Sequence, residues 1–187
     1  MSKVLVPLAS GFEEIEAVTI IDVLRRAEIE VLVASLDEDA TVKGANGIGI
    51  VTDLHVEDIN ANELDMIVLP GGVEGTYKLA EDKNVIKILQ DMDAKGKNIG
   101  AICAAPFALN KAGVLKQNYT CYPSFEEYIR EDGYMADEAM VVEDKNVMTS
   151  RGPATAICFA LQIVKKLKGE ETYLMLKGGL LADFCED

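Results

Sequence analysis

Cys103 is the residue in this sequence best placed to do chemistry. It closes an apolar run, Asn98-Ile-Gly-Ala-Ile-Cys103, and leads directly into Ala104-Ala105-Pro106-Phe107-Ala108-Leu109, with proline early in a first helical turn. A nucleophile carried on a sharp strand-to-helix turn needs small residues two positions away on either side, because strand and helix nearly touch there. Ala101 and Ala105 meet that demand. A helix N-terminus lowers a thiol pKa, so the position predicts a reactive thiolate. The alternative is a buried structural cysteine, the common fate of this residue type.

Two other loops offer groups that such a thiolate needs. Ser10-Gly-Phe-Glu-Glu-Ile-Glu16 sets Glu13, Glu14 and Glu16 at a helix start, either as acids that complement the helix dipole or as a carboxyl that serves the thiol. Leu69-Pro70-Gly71-Gly72-Val73-Glu74-Gly75 leaves bare backbone N–H groups able to approach a ligand as oxyanion donors, with a plain tight turn as the alternative. Neither G-x-G-x-x-G nor G-x-x-x-x-G-K-[ST] occurs, so no dinucleotide or phosphate fingerprint is present.

His55, the one histidine, follows Thr52-Asp53-Leu54 and reads as a surface residue away from the catalytic edge. A Cys–His dyad therefore has no base, and activation of Cys103 falls to a carboxyl group or the helix dipole. Cys121 is expected to end a strand and Cys158 to lie on an apolar helix face. Cys185 sits in an acidic tail, Asp183-Phe-Cys-Glu-Asp187, whose carboxylates raise a thiol pKa. With no C-x-x-C spacing, neither a zinc site nor a disulfide framework is expected, and no cofactor or metal is called for.

These loops need a scaffold that gathers them. Short β-branched runs alternate with helical periodicity, the pattern of an α/β fold with a doubly wound, mostly parallel sheet. The expected strands are 3–9, 30–36, 65–69, 98–103, 119–121 and 146–149. The expected helices are 14–27, 77–95, 105–112, 125–130 and 154–168, with a terminal helix over 170–181. In the first helix, Ile15, Val18, Ile21, Asp22, Leu24 and Arg25 predict an apolar stripe with polar flanks that packs on the sheet. Residues 41–52, with Asn46-Gly47, read as an inserted β-hairpin whose edge is open to a partner. In an open parallel sheet the ligand site lies beyond the carboxyl ends of the strands, where all three loops fall.

The chain has 187 residues, 49% hydrophobic and 27% charged, which fits one domain over 1–187. A net charge of −14 without a basic run argues against nucleic acid and anionic membrane. The longest uncharged stretches, 98–110 and 152–164, fall short of the roughly 20 residues that cross a bilayer. The opening apolar run is too short for a signal-peptide core, so a cytoplasmic protein is expected.

Five blocks, Gly11-Phe-Glu-Glu-Ile-Glu-Ala17, Asp22-Val-Leu-Arg-Arg-Ala27, Val68-Leu-Pro-Gly-Gly72, Ala101-Ile-Cys-Ala-Ala-Pro106 and Thr149-Ser-Arg-Gly-Pro-Ala-Thr155, occur in order. Through them the chain resembles the ThiJ/PfpI superfamily, in the branch of the Parkinson-disease-associated protein deglycase and its bacterial homologues. The resemblance implies a flavodoxin-like fold and a homodimer with the first helix at its interface. It implies Cys103 as nucleophile, Glu16 as the carboxyl bonded to its sulfur, and Gly72 and Ala104 as backbone donors. The implied activity is cofactor-independent attack on reactive dicarbonyls or their glycation adducts, of the glyoxalase III or deglycase type, which releases a 2-hydroxy acid. A redox-sensing or chaperone-like stress protein is the alternative, in which Cys103 is oxidised, and a thiazole monophosphate biosynthesis role is a third. Two departures stand out. Tyr122 precedes Pro123 where several relatives carry histidine, so a hydrogen-bond donor replaces a base at this substrate-facing position. Ala104 stands where the protease-like branch has histidine, which counts against peptidase activity.

Overall fold

In the computed structural model, which describes residues 2–185, the apolar runs lie side by side in one twisted sheet. The strands are β1 (Lys3–Leu8), β2 (Glu30–Ser35), β3 (Thr41–Lys43), β4 (Gly49–Val51), β5 (Leu54–His55), β6 (Met66–Leu69), β7 (Asn98–Ile102), β8 (Val141–Asp144) and β9 (Val147–Ser150). Seven form the central sheet in the order β5-β2-β1-β6-β7-β9-β8, parallel throughout except for β8, which runs antiparallel to β9. β3 and β4 form the separate hairpin read from residues 41–52.

The helices are α1 (Glu14–Arg26), α2 (Val73–Glu81), α3 (Lys83–Ala94), α4 (Pro106–Lys111), α5 (Glu126–Ile129), α6 (Ala156–Lys168) and α7 (Glu170–Gly179). α1 and α6 pack on one face of the sheet, with Tyr173 of α7, and α2, α3 and α4 cover the other. Both faces being covered explains why β1, β6 and β7 are apolar nearly throughout, with no polar alternation.

Several expectations need correction. The helix read over 77–95 is two helices, because Asp82 is extended and its carboxylate accepts from the Asn84 and Val85 N–H groups, capping α3. Residues 119–121 form no sheet strand. Tyr119 makes one isolated bridge to Tyr134, and the Thr120 N–H bonds the Thr149 hydroxyl. The neighbour of β9 is instead β8, an edge strand whose half-polar sequence, Val141-Val-Glu-Asp144, gave little signal. The stripe read on α1 is also displaced: Ala17, Ile20, Ile21 and Leu24 are buried, whereas Ile15 and Val18 face outward.

The expected absence of a disulfide is overturned as well, since Cys158 of α6 is bonded to Cys185 with Cα atoms 5.2 Å apart. Sequence spacing concealed this pair because the two cysteines are 27 positions apart and the chain between them folds back through α7. The final two residues of the acidic tail lie outside the described residues.

Candidate active site

β1, β6, β7 and β9 are neighbours and run the same way, so the loops that follow them meet at one edge of the sheet. The Glu13 N–H bonds the Gly71 carbonyl at 2.9 Å, stitching the loop after β1 to the loop after β6. The Cys103 N–H continues the ladder to the Ser150 carbonyl at 3.0 Å, and the Tyr122 N–H bonds the Cys103 carbonyl at 2.9 Å. Cys103 is thus held from both sides. Its φ of +63° lies in the left-handed region, a strained conformation for a residue with a side chain.

The three carboxylates of the first loop do three separate things. Glu13 caps α1 by accepting from the Glu16 N–H at 2.8 Å. Glu14 turns away and is buried against the hairpin, accepting from the Asn46 N–H at 2.6 Å and Asn46 Nδ2 at 3.0 Å. Burial alone would raise its pKa, but the bonds from Asn46 and Ile48 hold it below the ordinary carboxyl value. Glu16 is fully buried and faces the cysteine.

Glu16 Oε2 accepts from the Gly71 N–H at 2.7 Å, while Oε1 is buried without a hydrogen-bond partner among the described residues. Burial therefore dominates and pushes the carboxyl up to about 7, against the pull of the Gly71 N–H and the thiol. For half-buried Cys103, burial first and the Glu16 charge second push the thiol up, and the backbone N–H groups of Ala104 and Gly72 pull it back. This corrects the expectation of a thiol lowered by a helix N-terminus. α4 begins only at Pro106 and is six residues long, so its dipole is short and displaced from the sulfur.

These shifts describe one proton held between two atoms. Two negative charges at this spacing in a buried site repel, so near neutrality the pair carries a single charge. On the sulfur that charge meets the N–H groups of Ala104 and Gly72. Gly72 needs its freedom here: with φ at +92°, a β-carbon would stand 2.3 Å from the Gly11 carbonyl oxygen. Gly71 is the functional residue that sequence reasoning missed. A β-carbon at Gly71 would stand 2.6 Å from the Cys103 β-carbon and 2.7 Å from Glu16 Oε2, so its smallness lets the pair approach. Its place beside Gly72 in a glycine-rich turn was the available signal.

Tyr122 is half exposed, and its ring lies against Gly152, where an added β-carbon would be 3.3 Å from a ring carbon. His55 is half-buried on β5, four strands from β7, with Nδ1 3.1 Å from the Asp37 carbonyl oxygen, and takes no part in this cluster. Cys121 is buried near Glu126, and burial pushes its thiol up to about 12.

The sequence matches the DJ-1/PfpI family over residues 2–166. The chain belongs to the DJ-1/PfpI family. It is 40% identical over 186 residues to Protein dj-1beta of Drosophila melanogaster, covering 98% of this chain and all of that protein. It is also 40% identical over 172 residues to the glutathione-independent glyoxalase DJR-1.2 of Caenorhabditis elegans, covering 91% of each. The crystal structure of the Drosophila DJ-1beta superposes with a TM-score of 0.92, covering 97% of this chain and 98% of that one. Oxidised Toxoplasma gondii DJ-1, at 37% identity, gives 0.91 over 97% and 98%. The doubly wound sheet of this chain is the fold of those DJ-1 structures.

Proposed function

We propose that this DJ-1/PfpI protein is a cofactor-independent cysteine enzyme acting on reactive dicarbonyls or their early glycation adducts. The observation that carries the reading is the buried Glu16 carboxyl beside Cys103, with the N–H groups of Gly72 and Ala104 bearing on the sulfur. The glutathione-independent glyoxalase named among the relatives supports the same chemistry.

The Cys103 thiolate adds to the aldehyde carbon of methylglyoxal, and the C=O pair moves to oxygen. The two backbone N–H groups meet that oxyanion, and protonation from Glu16 gives a hemithioacetal. Glu16, now a carboxylate, removes the proton from the former aldehyde carbon and returns one to the adjacent carbon, while the hydroxyl proton of the hemithioacetal passes to the neighbouring oxygen. The product is a thioester, which water hydrolyses to the 2-hydroxy acid and free thiol. Tyr122 borders the site as a hydrogen-bond donor and contributes to substrate choice. A homodimer and a cytoplasmic site of action belong to the same reading. No helix among the described residues is long and apolar enough to cross a membrane.

The test is 2-hydroxy acid production from methylglyoxal and glyoxal by wild type, Cys103→Ala and Glu16→Ala, without glutathione or added metal. Wild type should turn over. Cys103→Ala should lose at least about a thousandfold, and Glu16→Ala about a hundredfold or more. Full turnover by Cys103→Ala would sink the proposal.

The half-buried thiol also favours a second reading, in which Cys103 is oxidised to sulfinic acid as a stress signal. The name of the oxidised Toxoplasma relative supports it. Graded peroxide should then add two oxygens at Cys103 while buried Cys121 stays unmodified, with little dicarbonyl turnover.

A further inference from the structure

Away from the Cys103–Glu16 pair, the chain carries a second sulfur centre that the proposed reaction does not use. Cys158, in the first turn of α6, is bonded to Cys185, just beyond the end of α7. We propose that this pair is a reversible redox site open to small thiols and disulfides, and that its oxidised form pins the chain end onto α6.

Two observations carry this. First, Cys158 lines a cavity of about 220 Å³ between α6 and the β8–β9 hairpin, with Met140, Met148 and Gln162 among its walls. A disulfide closed off on every side can be reduced only after local unfolding. Cys158 and Cys185 are only 3% and 2% exposed, but Cys158 forms part of this cavity's wall, so a small reagent that enters it comes up against one end of the bond.

Second, residues 181–185 offer few buried side chains to the core they share with α6. Leu181 and Phe184, the large side chains of the segment, are 81% and 53% exposed, and only the small Ala182 and Cys185 are buried. The backbone bonds from Leu181 to Gly178 and Ala182 to Lys177 run back into the end of α7, and that from Cys185 to Ala182 stays within the segment. The covalent bond therefore ties this segment directly to α6, beside the packing of Ala182 and Cys185 in the same apolar core.

The exchange balances with a small thiol as reductant. Its thiolate attacks Cys158 Sγ, the S–S bond breaks, and Cys185 departs with the electron pair and takes a proton. A second small thiol then attacks the mixed disulfide and frees Cys158. The protein gains two electrons and two protons, and two small thiols become one small disulfide.

The test uses the wild-type chain equilibrated across a series of reduced-to-oxidised glutathione ratios. Thiols are acid-quenched and trapped after denaturation, the peptides are read by mass spectrometry, and amide hydrogen exchange is followed on the same samples. One reversible transition is expected, from two trapped thiols, Cys103 and Cys121, to four. Amide exchange over 181–185 should rise at least tenfold across it, while β7 and β9 stay protected. Four thiols at every ratio, or a disulfide that persists until the protein is denatured, would overturn the redox site. Reduction without faster exchange would overturn the pinning. Cys158→Ser and Cys185→Ser should each show the fast exchange at all ratios, and if either fails to fold, the wild-type titration still decides. Cys103→Ala should titrate at the same midpoint, and a displaced midpoint would mean that the two sulfur centres are not independent.

Discussion

At the scale of single residues, one buried carboxyl controls how much negative charge the site can hold. Glu16 is raised from 4.5 to about 7, chiefly by burial, so the folded chain keeps a proton that the unfolded chain releases near 4.5. With one more proton bound in the native state across that window, the contribution of Glu16 to stability falls as pH rises from about 4.5 to about 7 and levels off above it, a loss of about 3 kcal/mol from this group. Glu16→Gln should flatten that slope, as read by denaturant melts at stepped pH. The same titration governs activity. Below about 7 both groups are protonated, and above it the pair carries the single charge that attack requires, so kcat/KM should rise through that point. Glu16→Gln should move the rise toward the ordinary thiol value, and an unmoved limb would assign it to another group. Gly71→Ala should be costly through contact alone, because its β-carbon would press on both Cys103 and Glu16 Oε2. We expect a stability loss of about 1–3 kcal/mol by overpacking and a larger proportional loss of hydroxy-acid production. Cys103 was legible because the small residues around it have a single steric explanation. The direction of its thiol shift was not, since burial and a carboxyl from a helix distant in sequence outweigh the local turn.

At the scale of elements, the strands that came through clearly were those buried on both faces, where apolar composition is required and not merely favoured. β1, β2, β6 and β7 were read to within one or two residues for that reason. β8 and β5 were missed because edge strands are short and bear polar side chains, leaving no alternation to detect. Asp82 shows a different failure. The apolar periodicity of α2 continues into α3, and only the cap reveals that the axis breaks. The cap makes a prediction: Asp82→Ala strands the Asn84 and Val85 N–H groups and should cost about 1 kcal/mol. That is a fall in Tm of about 2–4 °C for a chain of this size, measured by calorimetry. The three glutamates of the first loop follow the same logic, because identical residue types at a helix start are sorted only by what the fold brings opposite each. Glu14 meets the hairpin, and Glu16 meets the loops after β6 and β7.

At the scale of the molecule, the displaced stripe on α1 acquires a purpose. A helix that needed only to cover the sheet would be apolar on one side, yet Ile15 and Val18 stand 58% and 48% exposed on the other. They do not stand alone. The Glu14 carboxylate ties the β3–β4 turn to the start of α1, which brings exposed Ile48 and Val51 of the hairpin to the same side of the molecule. Exposed apolar side chains on α1 and on the hairpin tied to its start have little reason to face water on a chain of net charge −14, and a second copy meeting them face to face buries the same residues twice. The proposed homodimer therefore rests on side chains that can be changed without touching the sheet. Val18→Asp should weaken self-association at least about thirtyfold, the cost of a charge at the centre of an apolar contact, as measured by sedimentation equilibrium. High salt should strengthen the wild-type dimer, because two chains of −14 repel. Cys103, Glu16, Gly71, Gly72 and Ala104 all come from one chain, so the dissociated variant should keep hydroxy-acid production to within a few fold. Loss of turnover together with loss of the dimer would show that the second copy completes the site.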